Sequence, residues 1–252
     1  MQAGPTDYKY EDVKKKSHCL LDFTSSTFLL LRLKMDLRFE HPCTALIVGG
    51  TGAGKTFWMK KLIEHRTDMF NNPFDSIIFY YSEWQPLYEE LKHAVEFRQE
   101  LPLLEDHPPG QGSKLIIIDD FMDEVKTHNK ELLKFFIKGS HHRNLSIFFL
   151  SQCLYPDGLR QISLNSHYIV IFKTSRDLAQ IRTFCLQVDP THWRALIEAY
   201  EDATRAGHSY ILFDFKPNQL DHLRIRTKIF PDESCVIYIP KAKYKREINS
   251  LD

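Results

Sequence analysis

The chain reads as one α/β domain built on a mostly parallel β-sheet with helices on both faces. Three observations predict this. Apolar runs of five to seven residues recur along the sequence, helical patterns separate them, and glycines or acids stand at the ends of the most apolar ones. A strand buried on both faces loses its polar alternation, and such strands joined by helices form parallel sheets.

Thr44–Gly50 (TALIVGG) is the first such strand, and Lys55–His65 the helix after it. Ser76–Ser82 (SIIFYYS) and Lys114–Asp120 (KLIIIDD) are the next strands. Glu124–Lys138 is amphipathic, with Leu132, Leu133, Phe136 and Ile137 on one face. Ser146–Gln152 and Tyr168–Thr174 are further strands, followed by helical patterns at Arg176–Leu186 and Thr191–Thr204. Ser209–Phe215 and Leu223–Ile229 close the sheet, the last with the alternation of an edge strand. Pro86 and Pro108-Pro109-Gly110-Gln111-Gly112 mark loops. The expected organisation is an N-terminal extension at 1–34, a core unit at 35–235 with Met35 as a candidate start, and a tail at 236–252.

The composition is that of an ordinary globular chain: 252 residues, 43% hydrophobic and 26% charged. Lys plus Arg number 33, as do Asp plus Glu. A uniformly basic coat for wrapping nucleic acid is therefore not expected, although a local patch stays open. The five cysteines are odd in number and contain no Cys-x-x-Cys pair. They predict reduced thiols in an intracellular setting and argue against thiolate-bound zinc. No segment reaches the ~18–20 apolar residues of a membrane span, and the Lys14-Lys15-Lys16 start is followed by too weak an apolar stretch for a secretory signal. No membrane partner is expected.

Gly49-Gly50-Thr51-Gly52-Ala53-Gly54-Lys55-Thr56 matches G-x-x-x-x-G-K-[ST] in full, between a predicted strand and a predicted helix. Glycines let successive backbone N–H groups face phosphates, and the positive end of the following helix adds to that field. Lys55 would reach the β- and γ-phosphates of ATP, and the Thr56 hydroxyl would ligate Mg²⁺. A second signal is Leu115-Ile116-Ile117-Ile118-Asp119-Asp120, a buried strand ending in acids. This is the Walker B pattern: Asp119 takes the metal role, and Asp120 stands where many P-loop ATPases have a catalytic Glu. Asp123 and Glu124 are the runners-up as base. Gln152 ends the next apolar strand, where an amide could sense the γ-phosphate or simply face solvent.

Taken in order, Phe39-x-His41-Pro42, the P-loop, Ile118-Asp119-Asp120, Leu150-Ser151-Gln152, Asn165-x-x-Tyr168, Phe172-Lys173, Arg176-Asp177 and Leu223-x-Ile225-Arg226-x-x-Ile229-Phe230-Pro231 resemble one family. The chain looks like the genome-packaging ATPases of large DNA viruses of the poxvirus type and of Polinton/Maverick elements and adintoviruses, within the FtsK–HerA superfamily. The resemblance spans about residues 37–235 and implies a P-loop NTPase of the RecA-like, ASCE class. It implies a homo-oligomeric, ring-shaped motor that hydrolyses ATP and pumps double-stranded DNA into a preformed capsid, with a capsid or portal-like protein as a further partner. It gives Gln152 a sensor role, fits Asp120 as the catalytic carboxylate, and implies an arginine supplied by a neighbouring subunit, for which Arg143, Arg160, Arg176 and Arg182 are candidates.

Other readings compete. A small P-loop kinase needs a lid and a second substrate site, and no Arg-rich lid segment stands out. A GTPase should show Asn-Lys-x-Asp, but Asn129-Lys130 is followed by Glu131-Leu132 inside a predicted helix. A two-lobed helicase needs about twice the core length. A non-motor nucleotide-binding protein is the last alternative, and the intact Lys55, Thr56, Asp119 and Gln152 argue against a decayed centre.

Overall fold

The computed structural model describes residues 8–13, 36–119, 121–155, 160–174 and 176–240, with backbone alone at 8–13, 122–129, 141 and 240. In chain order the elements are β1 (Tyr8–Val13), β2 (Thr44–Val48), α1 (Lys55–Glu64), α2 (Arg66–Met69), β3 (Ser76–Tyr81), β4 (Glu96–Arg98), β5 (Lys114–Asp119) and α3 (Met122–Arg143). Then come β6 (Leu145–Ser151), α4 (Arg160–Leu164), β7 (Tyr168–Phe172), α5 (Leu178–Val188), α6 (Trp193–Ala203), β8 (Tyr210–Asp214), β9 (Ile225–Thr227) and β10 (Cys235–Pro240). Short 3₁₀ turns lie at Pro86–Leu91, Leu104–Asp106 and Asp221–Leu223.

The strands form one sheet in the order β1-β10-β9-β8-β7-β2-β6-β5-β3-β4. From β7 to β4 every pairing is parallel, and β8, β9, β10 and β1 are added antiparallel. The predicted α/β architecture is thus present, as a six-stranded parallel half extended by an antiparallel one. β2, β6 and β7 are buried at every residue, which is why their sequences show no polar alternation.

Each strand sends alternate residues to opposite faces. Ala45 and Ile47 of β2 join Trp58, Met59, Leu62 and Ile63 of α1 on one side of the sheet. Leu46 and Val48 join the layer made with Leu132, Phe135 and Phe136 of α3 and with Ile181 and Leu196 of α5 and α6. Helix α1 is held by a stripe at i, i+1, i+4 and i+5, one face of a 3.6-residue period. Helix α3 ends at Asn144, whose left-handed φ of 56° terminates it as a C-terminal Asn commonly does.

Two expectations at the sheet margin are corrected. Leu223–Ile229 is not an edge strand: only Ile225–Thr227 is extended, and β10 and then β1 pair beyond it. Of its alternating charges, Lys228 is exposed, but Arg226 is buried against Asp214, at 2.8 Å, rather than facing water. The sheet also continues past the expected tail boundary, since Val236–Pro240 lies in β10, and β1 falls within the expected extension at 1–34. Among the described residues, no helix is long and apolar enough to cross a membrane.

Candidate functional site

Because β2, β6 and β5 are parallel neighbours, their C-terminal ends lie along one edge of the molecule. That edge is where ligands bind in open α/β sheets. The Gly49–Gly54 loop leaves β2 there and turns into α1. A side chain at Gly49 would meet Phe172 Cβ at 2.9 Å and Ala53 Cβ at 3.0 Å, so the loop can start only from glycine. Gly54 is the N-cap of α1, with φ 104°, a backbone that side-chain-bearing residues rarely adopt. No side chain caps α1, which leaves its first N–H groups directed out of the helix end toward any anion.

Lys55 folds back across the loop, donating from Nζ to the Gly49 carbonyl at 2.5 Å and the Gly50 carbonyl at 3.3 Å. Thr56 donates from Oγ1 to Asp119 Oδ2 at 3.3 Å. The fold brings these two side chains together across an intervening strand, β6. Asp119 is 3% exposed, at the last position of β5. The pair fits a hard divalent cation: an octahedron with ligands ~2.05 Å from Mg²⁺ has adjacent ligands about 2.9 Å apart. Among the described residues no three His, Cys, Asp or Glu side chains group as a metal site. A cation here would be completed by water and phosphate oxygens, as Mg²⁺ commonly is.

Gln152 follows the last residue of β6. The register sets Val48 opposite Ser151, and the Gly49 N–H donates to the Ser151 carbonyl at 3.1 Å. Gln152 is therefore level with the start of the loop, and with Gly49 and Phe172 it lines a small crevice there. Asp120 lies outside the described residues, as do the side chains of Asp123 and Glu124 on the first turn of α3. Thr51, Gly52 and Ala53 form the rest of the loop, closed by the Ala53 N–H donating to the Gly50 carbonyl at 3.1 Å.

The candidate arginines separate. Arg143 donates from Nη1 to the carbonyls of Leu104 and His107, at 2.5 and 2.7 Å, which ties the end of α3 to that loop of its own chain. Arg182 is exposed on α5 and stacks over Trp193, 4.9 Å from the ring centroid. Arg160 and Arg176 are exposed.

One site residue had no mark in the sequence. Tyr88, fully buried in the 3₁₀ turn Pro86–Leu91, donates its phenol to Asp119 Oδ2 at 2.9 Å. It comes from the loop between β3 and β4, and only the folded packing of Phe79, Tyr81 and Phe97 around it sets its direction.

No family model and no curated protein matches this chain. Among solved structures it is similar to the genome packaging NTPase B204 from Sulfolobus turreted icosahedral virus 2 in complex with sulfate, at 13% identity over 77% of this chain and 96% of that one, TM-score 0.49. It is similar to B204, the DNA-packaging ATPase from Sulfolobus turreted icosahedral virus, at 13% identity, 73% and 96% coverage and TM-score 0.49. It is also similar to the cytoplasmic domain of the Thermomonospora curvata type VII secretion ATPase EccC, at 14% identity, 78% of this chain and 25% of that one, TM-score 0.46. The TM-scores lie below 0.5, and the fold and the site stand on the strand order and side-chain positions of this chain.

Proposed function

We propose that the protein is an ATP-hydrolysing motor that moves double-stranded DNA, working as a homo-oligomeric ring that packages the genome of a virus or virus-like element. The observation that carries the reading is the meeting of Thr56 and Asp119 at the end of a complete P-loop. The loop N–H groups and Lys55 bind the triphosphate, with the Lys55 ammonium exchanging its carbonyl partners for phosphate oxygens. Thr56 and Asp119 would hold Mg²⁺, which when bound neutralises charge on the transferred phosphoryl group. Asp120 is the group to accept a proton from the attacking water, with Asp123 or Glu124 in its place if it does not. Gln152, level with Gly49, would report on the γ-phosphate.

The DNA-moving part rests on the ordered motif set from Phe39 to Pro231, which resembles the packaging ATPases of the poxvirus-type, Polinton and adintovirus branch. A single domain leaves the γ-phosphate side of the loop open, and a neighbour's arginine can close it. The equal acidic and basic counts fit a ring, which retains DNA topologically with few contacts per subunit. A capsid or portal-like protein would receive the DNA, inside an infected or host cell. The test is ATP hydrolysis by purified protein with and without duplex DNA. Stimulation by DNA supports the motor; hydrolysis indifferent to DNA, or phosphate transferred to a small acceptor, contradicts it.

A further inference from the structure

Gln152 stands just past the end of β6, and the chain around it is held from two sides. On its own strand, the Ser151 hydroxyl donates to the Cys153 carbonyl at 2.7 Å and accepts from the Cys153 N–H at 3.3 Å, a tight link across Gln152. From outside the strand, Gln180 of α5 accepts the Leu154 N–H on Oε1 at 3.1 Å. Leu154 is buried, and a buried amide left without an acceptor is costly. Seven residues further along the same face of α5, Gln187 accepts from Tyr155 Oη at 2.7 Å. Ile181, Phe184 and Cys185 anchor the helix in the core layer shared with Leu46, Val48 and Leu154. Gln180 also lines the crevice that contains Gly49 and Gln152.

An amide at position 152 can act on a γ-phosphate only if the chain on both sides of it is fixed relative to the P-loop. Before Gln152, the Gly49 N–H on the Ser151 carbonyl does this. After it, the chain is fixed by α5. We propose that Gln180 is the positioning residue for Gln152: by holding the Leu154 N–H it sets the direction from which the Gln152 amide reaches the γ-phosphate, and it acts through Gln152 rather than on the nucleotide. This role rests on the sensor reading of Gln152 proposed above and assigns the group on which that sensor depends. The loop N–H groups and Lys55 bind the phosphates without it, so losing Gln180 weakens the chemical step and spares nucleotide binding.

Steady-state phosphate release and calorimetric MgATP binding by the full chain test it. Gln180→Met keeps the side-chain length and suits a helix, but offers Leu154 no oxygen. It should lower kcat by about tenfold to a hundredfold, as a small misplacement near reacting groups does, with MgATP affinity unchanged. Gln180→Ala, at a half-buried helix position, should behave alike. Gln180→Glu, which retains an acceptor oxygen at the same reach, should recover most of the lost kcat. Gln152→Ala combined with Gln180→Met should be no slower than Gln152→Ala alone, because residues that act as a unit do not add. Gln180→Met and Gln180→Ala that turn over like the wild type while Gln152→Ala is slow overturn the positioning role alone. So do losses that add to those of Gln152→Ala, or that include MgATP binding, since these mark a residue that only stabilises the fold. Gln152→Ala with wild-type turnover overturns the sensor reading itself, and the role of Gln180 with it.

Discussion

Tyr88 and Asp119 meet inside the protein, phenol Oη to carboxylate Oδ2 at 2.9 Å, on the same oxygen that faces Thr56. Asp119 is thereby steered from the β3–β4 loop, 31 residues away in sequence. Tyr88→Phe removes the hydrogen bond and keeps the ring packing. Partners of this kind behind a metal-binding group typically contribute about 10–100-fold in metal affinity or activity. The expected result is a rise of about that factor in the Mg²⁺ concentration needed for half-maximal ATP hydrolysis. An unchanged Mg²⁺ requirement would reduce Tyr88 to a packing residue.

The arginines can be sorted by mixing. A neighbour's arginine is worth ~10³–10⁵ in rate where such groups have been dissected. Lys55→Ala mixed with an alanine variant of Arg160, Arg176 or Arg182 should regain hydrolysis in the one case where the arginine acts between subunits. Arg143→Ala should not be rescued and should lower the melting temperature, because Arg143 ties α3 to the Leu104–His107 loop. Sedimentation should show concentration- or ATP-dependent assembly. A strict monomer with no rescue in any mixture would contradict the composite site.

The antiparallel half of the sheet depends on a buried ion pair. Arg226 and Asp214 are each 1% exposed, and Arg226 Nη2 lies 2.8 Å from Asp214 Oδ2. Asp214→Ala leaves the guanidinium buried without its counter-charge, which should cost about 3–5 kcal/mol. Chemical denaturation measures this directly. A loss under about 1 kcal/mol, as for an exposed pair, would mean that Arg226 reaches water.

Acid should weaken the fold through His107. Its ring is buried, with Nε2 2.9 Å from Tyr80 Oη, and burial, reinforced by the positive charges of Lys114 and Arg98, pulls its pKa down to about 4. The unfolded chain takes up that proton below about pH 6.5. Between these values the unfolded state binds more protons, so stability falls as pH drops from about 6.5 to 4. His41, also lowered mainly by burial, adds to the same slope. His107→Gln should flatten the dependence of the melting temperature on pH in this window. A variant as steep as the wild type would assign the slope elsewhere.

What could be read from sequence follows the range of the interaction that marks each residue. The P-loop is contiguous, and its glycines are demanded by local backbone and by the close approach of Phe172; eight residues carry the whole signal. Asp119 is legible because a carboxylate ending a run of isoleucines is costly to bury unless a cation or a donor meets it. Tyr88 is not legible, since the chain has 11 Tyr and 18 Phe and nothing local distinguishes the one that points at Asp119. β9 misleads for a related reason: Arg226 looks solvent-facing until Asp214, twelve residues earlier, is brought beneath it. β10 carries its own apolar run, Cys235–Pro240, but it lies at the end of the motif series, where a tail was expected. The backbone pairing of β1 with β10 is long-range, and the Tyr8–Val13 stretch mixes charged and aromatic residues without a clean period.

The claim that the Gly49–Thr56 loop and Asp119 form one ATP-hydrolysing centre is tested most directly by steady-state phosphate release from MgATP. Wild-type protein should turn over, and Lys55→Ala should not, because the phosphates lose their fixed counter-charge where it is needed in the transition state. Asp119→Asn should retain nucleotide binding and lose Mg²⁺-dependent turnover. Hydrolysis by Lys55→Ala at the wild-type rate would contradict the account.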